Sequence, residues 1–199
     1  MAAAILVQSF FLKDTKKVAR DLLGKTLCLK KPRGRGLSRF KIVETEAYLG
    51  LEDPACHSFH AKRTERVRSL YLPGGHAYVY LIYGIYNCLN VVTGDETHPE
   101  AILIRAIEPL DGNLVEARTS DLKTNGPGKL CRYLGITRAK HDGIALWKKE
   151  SGLWIEEGER LKASQIVVTK RIGVQNYPGG AADWPLRFHV RANPYVSKT

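Results

Sequence analysis

The chain has 199 residues, a length that predicts one domain (residues 1–199) with a sizeable hydrophobic core. Its 44% apolar content excludes a disordered protein, and no apolar run is long enough to cross a bilayer as a helix. Lysine and arginine outnumber aspartate and glutamate by 31 to 20, and the net charge of +11 predicts an anionic partner: DNA, RNA or a membrane surface. The sequence shows no amphipathic basic helix with a Trp/Phe face, which argues against the membrane.

Asp14 or Thr15 caps a short helix with Val18, Ala19, Leu22 and Leu23 on its apolar stripe and Gly24 as its stop. Thr26 to Lys30 reads as a strand, Pro32 to Gly36 as a turn, and Leu37 to Ala47 as the returning strand of a hairpin with a basic tip. Gly50 to Pro73 has no clear period and carries His57, His60, Lys62, Arg63, Arg66 and Arg68. A long irregular stretch inside a compact domain is usually functional, and these charges suit phosphates. Ala77 to Ile82 and Ile85 to Val92 form a second antiparallel pair about Tyr83-Gly84, with Tyr80 near Cys88 and Tyr78 near Asn90. Ala101 to Ile107 is a buried strand interrupted by Arg105, and a helix is expected from Leu114. Gly126-Pro127-Gly128 opens a helix from Lys129 to Leu134, closed by Gly135. Ile144 to Trp147, Leu153 to Ile155, Ile166 to Thr169 and Leu186 to Val190 read as short strands. The expected class is α+β: one domain with a curved, mostly antiparallel sheet, flanking helices and a protruding β-hairpin.

Cys28, Cys56, Cys88 and Cys131 form no Cys-x-x-Cys pair, so they read as small buried hydrophobes in a reducing setting. Met1 to Phe11 lacks the basic start and long apolar stretch of a signal peptide, and an intracellular location is expected.

The chemistry concentrates in Ile42 to Gly50. Period-two alternation puts Phe40, Ile42, Glu44, Glu46 and Tyr48 on one face of the strand, and a face that opens with Phe and Ile is a core face. A carboxylate there is expensive unless it is paired, hydrogen-bonded or protonated. Two acids on one strand, about 7 Å apart and pointing the same way, flank a scissile bond poorly. A single base is the better reading, with the other acid structural; pairing of both with arginines is the plainer alternative. Arg105, in the middle of a core strand, must face a carboxylate or a wet site, and Glu46 is the candidate partner.

His57 follows Asp53 by four residues and reads equally as a structural or a functional histidine. Glu46, Asp53, His57 and His60 match no familiar metal-ligand spacing, so neither metal nor cofactor is expected. Tyr78, Tyr80, Tyr83 and Tyr86 suit stacking on bases, and one or two of them suit core packing. Tyr83 stands at a turn with no core to fill; an exposed rigid ring can wedge between stacked bases. Gly126-Pro127-Gly128-Lys129 reads as a helix start that can meet a phosphodiester, without the full nucleotide-binding pattern.

Together these segments resemble the alkyladenine DNA glycosylase family, also called methylpurine or 3-methyladenine DNA glycosylase of the human type. The resemblance is carried in order by residues 42–50, Glu52-Asp53 with His57-Ser58, 78–84, Cys88 to Val91, 103–110, Gly126 to Cys131 and Pro185 to Phe188. It implies that Glu46 is the general base that activates water and that Arg105 helps to hold this water with the backbone of Val174. It implies that Tyr48 and Tyr80 wall the flipped base, that His57 stacks on and hydrogen-bonds to it, and that Asn90 disfavours the amino group of guanine. Tyr83 corresponds to the ring that enters the duplex, and Lys62, Arg66, Arg68 and Lys129 to phosphate contacts. The loop from Phe59 to Tyr71 departs from the family's glycine-rich, Thr-Pro-Arg pattern, and Gln175 stands where many members have glycine.

The implied activity is monofunctional: excision of alkylated or deaminated purines from double-stranded DNA by a monomer, leaving an abasic site. Two rivals stand beside it. One is a non-catalytic DNA- or RNA-binding module. The other is a metal-dependent nuclease using Glu44, Glu46 and Asp53.

Overall fold

The computed structural model describes residues 3–31, 36–110 and 124–197. The basic tip at 32–35 and the helix expected from Leu114 therefore lie outside the described residues. Helix α1 spans Thr15–Asp21, and the Asp14 side chain caps it by accepting from Lys17 N at 2.9 Å. Its inner face, Val18 and Ala19 with Leu22 and Leu23 just beyond, is buried. Gly24 stops it with φ +84°; a Cβ there would stand 2.3 Å from Glu159 O, so both the backbone angle and the space require glycine.

The described residues form eight strands, β1 Thr26–Lys30, β2 Leu37–Tyr48, β3 Ala77–Ile82, β4 Tyr86–Val92, β5 Ala101–Pro109, β6 Leu153–Glu156, β7 Ile166–Thr169 and β8 Arg187–Val190. They form one curled antiparallel sheet in the order β3-β4-β5-β2-β1-β6, with β8 paired to β2 and β7 to β8. Helices α2 (Pro127–Leu134) and α3 (Arg138–His141) follow β5 in the chain. The fold is thus the mixed class that the pattern of strands and short turns predicts.

Strand β2 is the spine. One edge pairs with β5 from Phe40 to Tyr48. The other pairs with β1 over residues 37–41 and with β8 over residues 44–46. The register against β5 shifts between Ile42 and Glu44 and again between Glu44 and Thr45, where β2 changes neighbour. The simple alternation expected from Phe40 to Tyr48 is therefore broken at Val43. Every residue from Ile42 to Ala47 is buried, so this stretch is covered on both faces. Thr45 Oγ1 donates to Ala19 O at 2.8 Å and so faces α1, whereas Glu44 and Glu46 both reach Arg105.

The main core joins Phe11, Val18, Leu22, Ile42, Leu89 and Ile104 to Leu130 of α2. Burying such a side chain contributes about 1.5–3 kcal/mol. A second cluster of Cys56, Val67, Leu70, Tyr78, Val92 and Ala101 fixes the 50–73 loop to the sheet. That loop contains three short 3₁₀ turns, at Gly50–Glu52, Phe59–Ala61 and Arg68–Tyr71, which explains its lack of a helical or strand period. Asp142 fastens it to β3 by accepting from Ser69 Oγ at 2.7 Å and Val79 N at 2.8 Å.

The expected strand at Ile144–Trp147 is instead a turn, with a single bridge from Ala145 to His76. All four cysteines are free and buried. Burial pushes the Cys28 thiol up to about 12 and the Cys88 thiol up to about 11, so both stay protonated. No helix among the described residues is long and apolar enough to cross a membrane.

Candidate active site

Glu46 lies fully buried at the centre of the sheet. Its Oε2 accepts from Tyr48 Oη at 3.0 Å and Arg105 Nη1 at 3.2 Å, and its Oε1 accepts from Ile172 N at 2.7 Å. Burial raises its pKa above the ordinary carboxylate value against the pull of Arg105, Ile172 N–H and Tyr48. Burial, and then Glu46 itself, hold the Tyr48 phenol well above its usual value, so it remains a donor.

Glu44, two residues earlier, has a different environment. Its Oε1 accepts from Arg105 Nε at 3.2 Å, Arg187 Nε at 2.7 Å and Ser197 Oγ at 2.7 Å, and its Oε2 accepts from Ser197 N at 2.7 Å. Burial works to raise its pKa, but the donors of Ser197, Arg105 and Arg187 outweigh it and the net shift is downward. Glu44 is a saturated structural anion, and Glu46 is the strained one of the pair.

The three partners of Glu46, namely Tyr48, Arg105 and Ile172, all line a cleft of about 750 Å³. His57, Tyr78, Tyr80, Asn90 and Val174 line it too, as do Tyr83, Arg66 and Lys129. The register anticipated for the second hairpin holds, with Tyr80 opposite Cys88 and Tyr78 opposite Asn90. The His57 and Tyr80 rings meet edge to face, 4.5 Å apart at 81°. His57 Nδ1 lies 2.8 Å from Tyr78 Oη. Burial, helped by the charges of Arg66 and Lys62, depresses His57 to about 4, so its imidazole is neutral at physiological pH. Asn90 spends both amide hydrogens on Tyr78 O (3.0 Å) and Cys88 O (3.3 Å), which locks it in place.

Tyr83 forms the turn with Gly84. Both have positive φ, +53° and +71°, and Ile85 N donates to Ile82 O at 3.2 Å. This is the mirror-image hairpin turn, which favours Asn-Gly; a tyrosine in the left-handed region costs about 1–2 kcal/mol. Its ring is 85% exposed, beside exposed Ile85 and Tyr86. Strain kept at an exposed aromatic tip points to a use outside the fold. Helix α2 begins against the base of this hairpin, where a Cβ on Gly128 would come within 3.1 Å of Tyr86 Cβ.

Of the expected phosphate contacts, Arg66 and Lys129 lie on the cleft. Lys62 and Arg68 are exposed on the 50–73 loop and are not part of the cleft lining, Arg68 being paired with Glu65 at 2.8 Å. Val174 is buried in the wall and its carbonyl accepts from Tyr177 N at 3.2 Å; the neighbour that reaches Glu46 is Ile172. Neither Ile172 nor the Ser197 and Arg187 partners of Glu44 carried a role in the sequence reading. Backbone donors leave no residue-type signal, and a glycine after Ile172, with φ +81° in the fold, is the one hint of a special turn there.

A profile of the methylpurine-DNA glycosylase family matches residues 9–194. The chain belongs to this family. It is 56% identical over 195 residues to a protein of Bdellovibrio bacteriovorus named "Putative 3-methyladenine DNA glycosylase", covering 98% of this chain and 99% of that one. It is 46% identical over 200 residues to a protein of the same name from Methanocella arvoryzae, covering 98% and 96%. A third, from Clostridium novyi, is 39% identical over 207 residues, covering 97% and 98%. The protein is thus a DNA glycosylase, a hydrolase of N-glycosyl bonds that works on DNA.

The Glu44 cluster sets a stability prediction. Glu44→Gln should lower unfolding free energy at neutral pH by about 3 kcal/mol, as expected when a buried ion pair loses one partner. Because the folded carboxyl is held below the ordinary 4.5, its stabilisation is complete above that value and fades as pH falls beneath it. Urea denaturation of both proteins over a pH series should show the gap closing at acid pH.

Proposed function

We propose that this chain acts as one catalytic unit, a monomer that flips an alkylated or deaminated purine nucleotide from duplex DNA and hydrolyses its glycosidic bond with water activated by Glu46. One observation carries the reading: a fully buried carboxylate with a raised pKa lies beneath an aromatic cleft in a protein of charge +11. The basic surface draws the protein to DNA and lets it slide. The Tyr83 ring fills the gap left in the duplex, offsetting a few kcal/mol of lost stacking. Tyr48 and Tyr80 hold the extruded base, and an electron-poor alkylated purine stacks well on tyrosine. Asn90, fixed by its two carbonyl contacts, is the residue that would disfavour the 2-amino group of guanine.

Glu46 then removes a proton from water, and the oxygen attacks C1′ as the bond to the base breaks. Its negative charge also favours the oxocarbenium-like sugar. Arg105 and the segment from Ile172 to Val174 fix the water and the carboxylate. Such base catalysis contributes about 10² to 10⁴ in rate. The groups that contact Glu46 are a phenol, a guanidinium and a backbone amide rather than a lysine amine, in keeping with a reaction that ends at an abasic site without strand cleavage. Glu44 and Asp53, which a nuclease would need as metal ligands, are both engaged by arginines. The protein would work inside the cell on chromosomal DNA.

Release of free base from duplexes that each carry one defined lesion (3-methyladenine, 7-methylguanine, hypoxanthine or ethenoadenine) tests the reading. Glu46→Gln should abolish release while lesion binding survives; lost binding with normal turnover of what remains bound would refute the assignment. The acid limb of single-turnover excision should lie above pH 4.5, because the base works only when ionised and its pKa is raised. Tyr83→Ala should weaken lesion-specific binding more than non-specific binding, as read by competition with undamaged duplex. Equal losses would reduce Tyr83 to an ordinary backbone contact.

A further inference from the structure

Asp53 and Arg171 form an ion pair with both side chains wholly enclosed, and no step of the proposed reaction uses it. Arg171 Nη1 and Nη2 grip the two carboxylate oxygens of Asp53. Nη1 also donates to Ala47 O at 3.1 Å and Nη2 to Ala181 O at 3.3 Å. Asp53 accepts in turn from Leu49 N and Ala55 N, each at 3.0 Å. The guanidinium carbon lies 4.7 Å from the centre of the Tyr48 ring.

These contacts converge on Glu46 from three directions. Ala47 is the residue between Glu46 and Tyr48. Ile172, the donor to Glu46 Oε1, directly follows Arg171. Leu49 and Ala55 bracket the turn that leads to His57. Arg171 Nε is, among the described residues, the one buried side-chain nitrogen or oxygen without a hydrogen-bond partner. Leaving a buried N–H unpaired is costly. The guanidinium therefore sits where Asp53, Ala47 and the Tyr48 ring meet, rather than where all its own donors would be satisfied.

We propose that the Asp53–Arg171 pair is a positioning device for the general base, clamping the end of β2, the Tyr48 ring and the backbone at 171–172 so that Tyr48 Oη and Ile172 N–H stay on the Glu46 carboxylate. The assignment rests on the reading of Glu46 as a glycosylase base. The ionisable groups around Glu46 are Tyr48 and Glu44 on β2, Arg105 on β5, Tyr80 on β3, Cys88 on β4 and Arg171 after β7. None of the others changes when Asp53 is neutralised, so the sign of the response separates two causes. If geometry survives, Asp53→Asn leaves Arg171 uncompensated and the added positive field lowers the Glu46 pKa. If the clamp loosens, Glu46 loses donors to its charged form and its pKa rises.

The experiment compares wild type, Asp53→Asn and Arg171→Lys in steady-state and single-turnover excision of methylated duplex across pH, with thermal melting as a check on folding. Arg171→Lys keeps the charge and loses the planar fork. Both variants should lose about 10- to 100-fold in kcat, the usual effect of small misplacement, with KM nearly unchanged. Both should move the acid limb to higher pH. A variant that melts earlier yet keeps kcat, or whose acid limb stays or moves down, would make the pair merely structural and overturn the proposal. If Asp53→Asn does not fold, Arg171→Lys decides on the same readings. Carbon-13 titration of the Glu46 carboxyl reports the same shift without turnover. Failure of wild type to release base would therefore sink the glycosylase reading while the clamp is still judged by the titration.

Discussion

The site depends on one guanidinium shared by two buried carboxylates. Arg105 donates Nε to Glu44 and Nη1 to Glu46, each at 3.2 Å. Two acids so close on one strand cannot both be comfortable with a single cation, and the fold resolves this by treating them unequally. Glu44 receives Arg187 and two donors from Ser197, and its pKa falls. Glu46 receives a phenol and one amide, and burial wins. Environments that push neighbouring pKa values apart also separate their tasks. One carboxylate anchors the fold; the other, with its pKa raised, is the one suited to the proposed role of base.

The aromatic walls, the locked asparagine and the neutral histidine are arranged around this ion cluster. They stand on the end of β2, on β3 and β4, and on a loop tied to the sheet by Asp142 and by apolar contacts of Val67 and Leu70. The hairpin tip differs from them. It carries large apolar side chains in water and a tyrosine in an unfavourable backbone region. Wall and tip therefore follow opposite rules, the first rigid and enclosed, the second strained and open.

Much of this was legible in the sequence because it is local. The Tyr83-Gly84 turn gives the register of β3 against β4 to within one residue, Ile85 joining the loop so that Ile82 pairs with Tyr86, and a lone arginine in an apolar strand must find an acid. The residues picked out by the family's motifs, Tyr48, His57, Tyr80, Asn90 and Arg105, line one cleft, and Glu46 lies beneath it bonded to two of them. Other features were not legible for identifiable reasons. The switch of β2 from β1 to β8 breaks its alternation, which no residue type announces. Ile172 acts through its amide, and Arg171 reaches Asp53 across 118 positions. Ile144 to Trp147 has the composition of a strand, but its backbone bonds to Gly75, Ala77 and Ile155 amount to one isolated bridge, at Ala145, rather than a ladder. The 50–73 loop is built of 3₁₀ turns too short to leave a period.

The span of the Glu44 contacts bears on how the protein comes into being. Its last donor, Ser197, follows it by 153 positions, and Arg187 by 143. The shared cation, Arg105, lies 61 positions from Glu44, but the partners that set Glu44 apart from Glu46 must be drawn in from more than twice as far along the chain. Closing so wide a loop is slow compared with forming a helix or a hairpin. Completion of the Glu44 cluster thus waits for the segment from Arg187 to Ser197 to dock, well after the neighbouring hairpins can form.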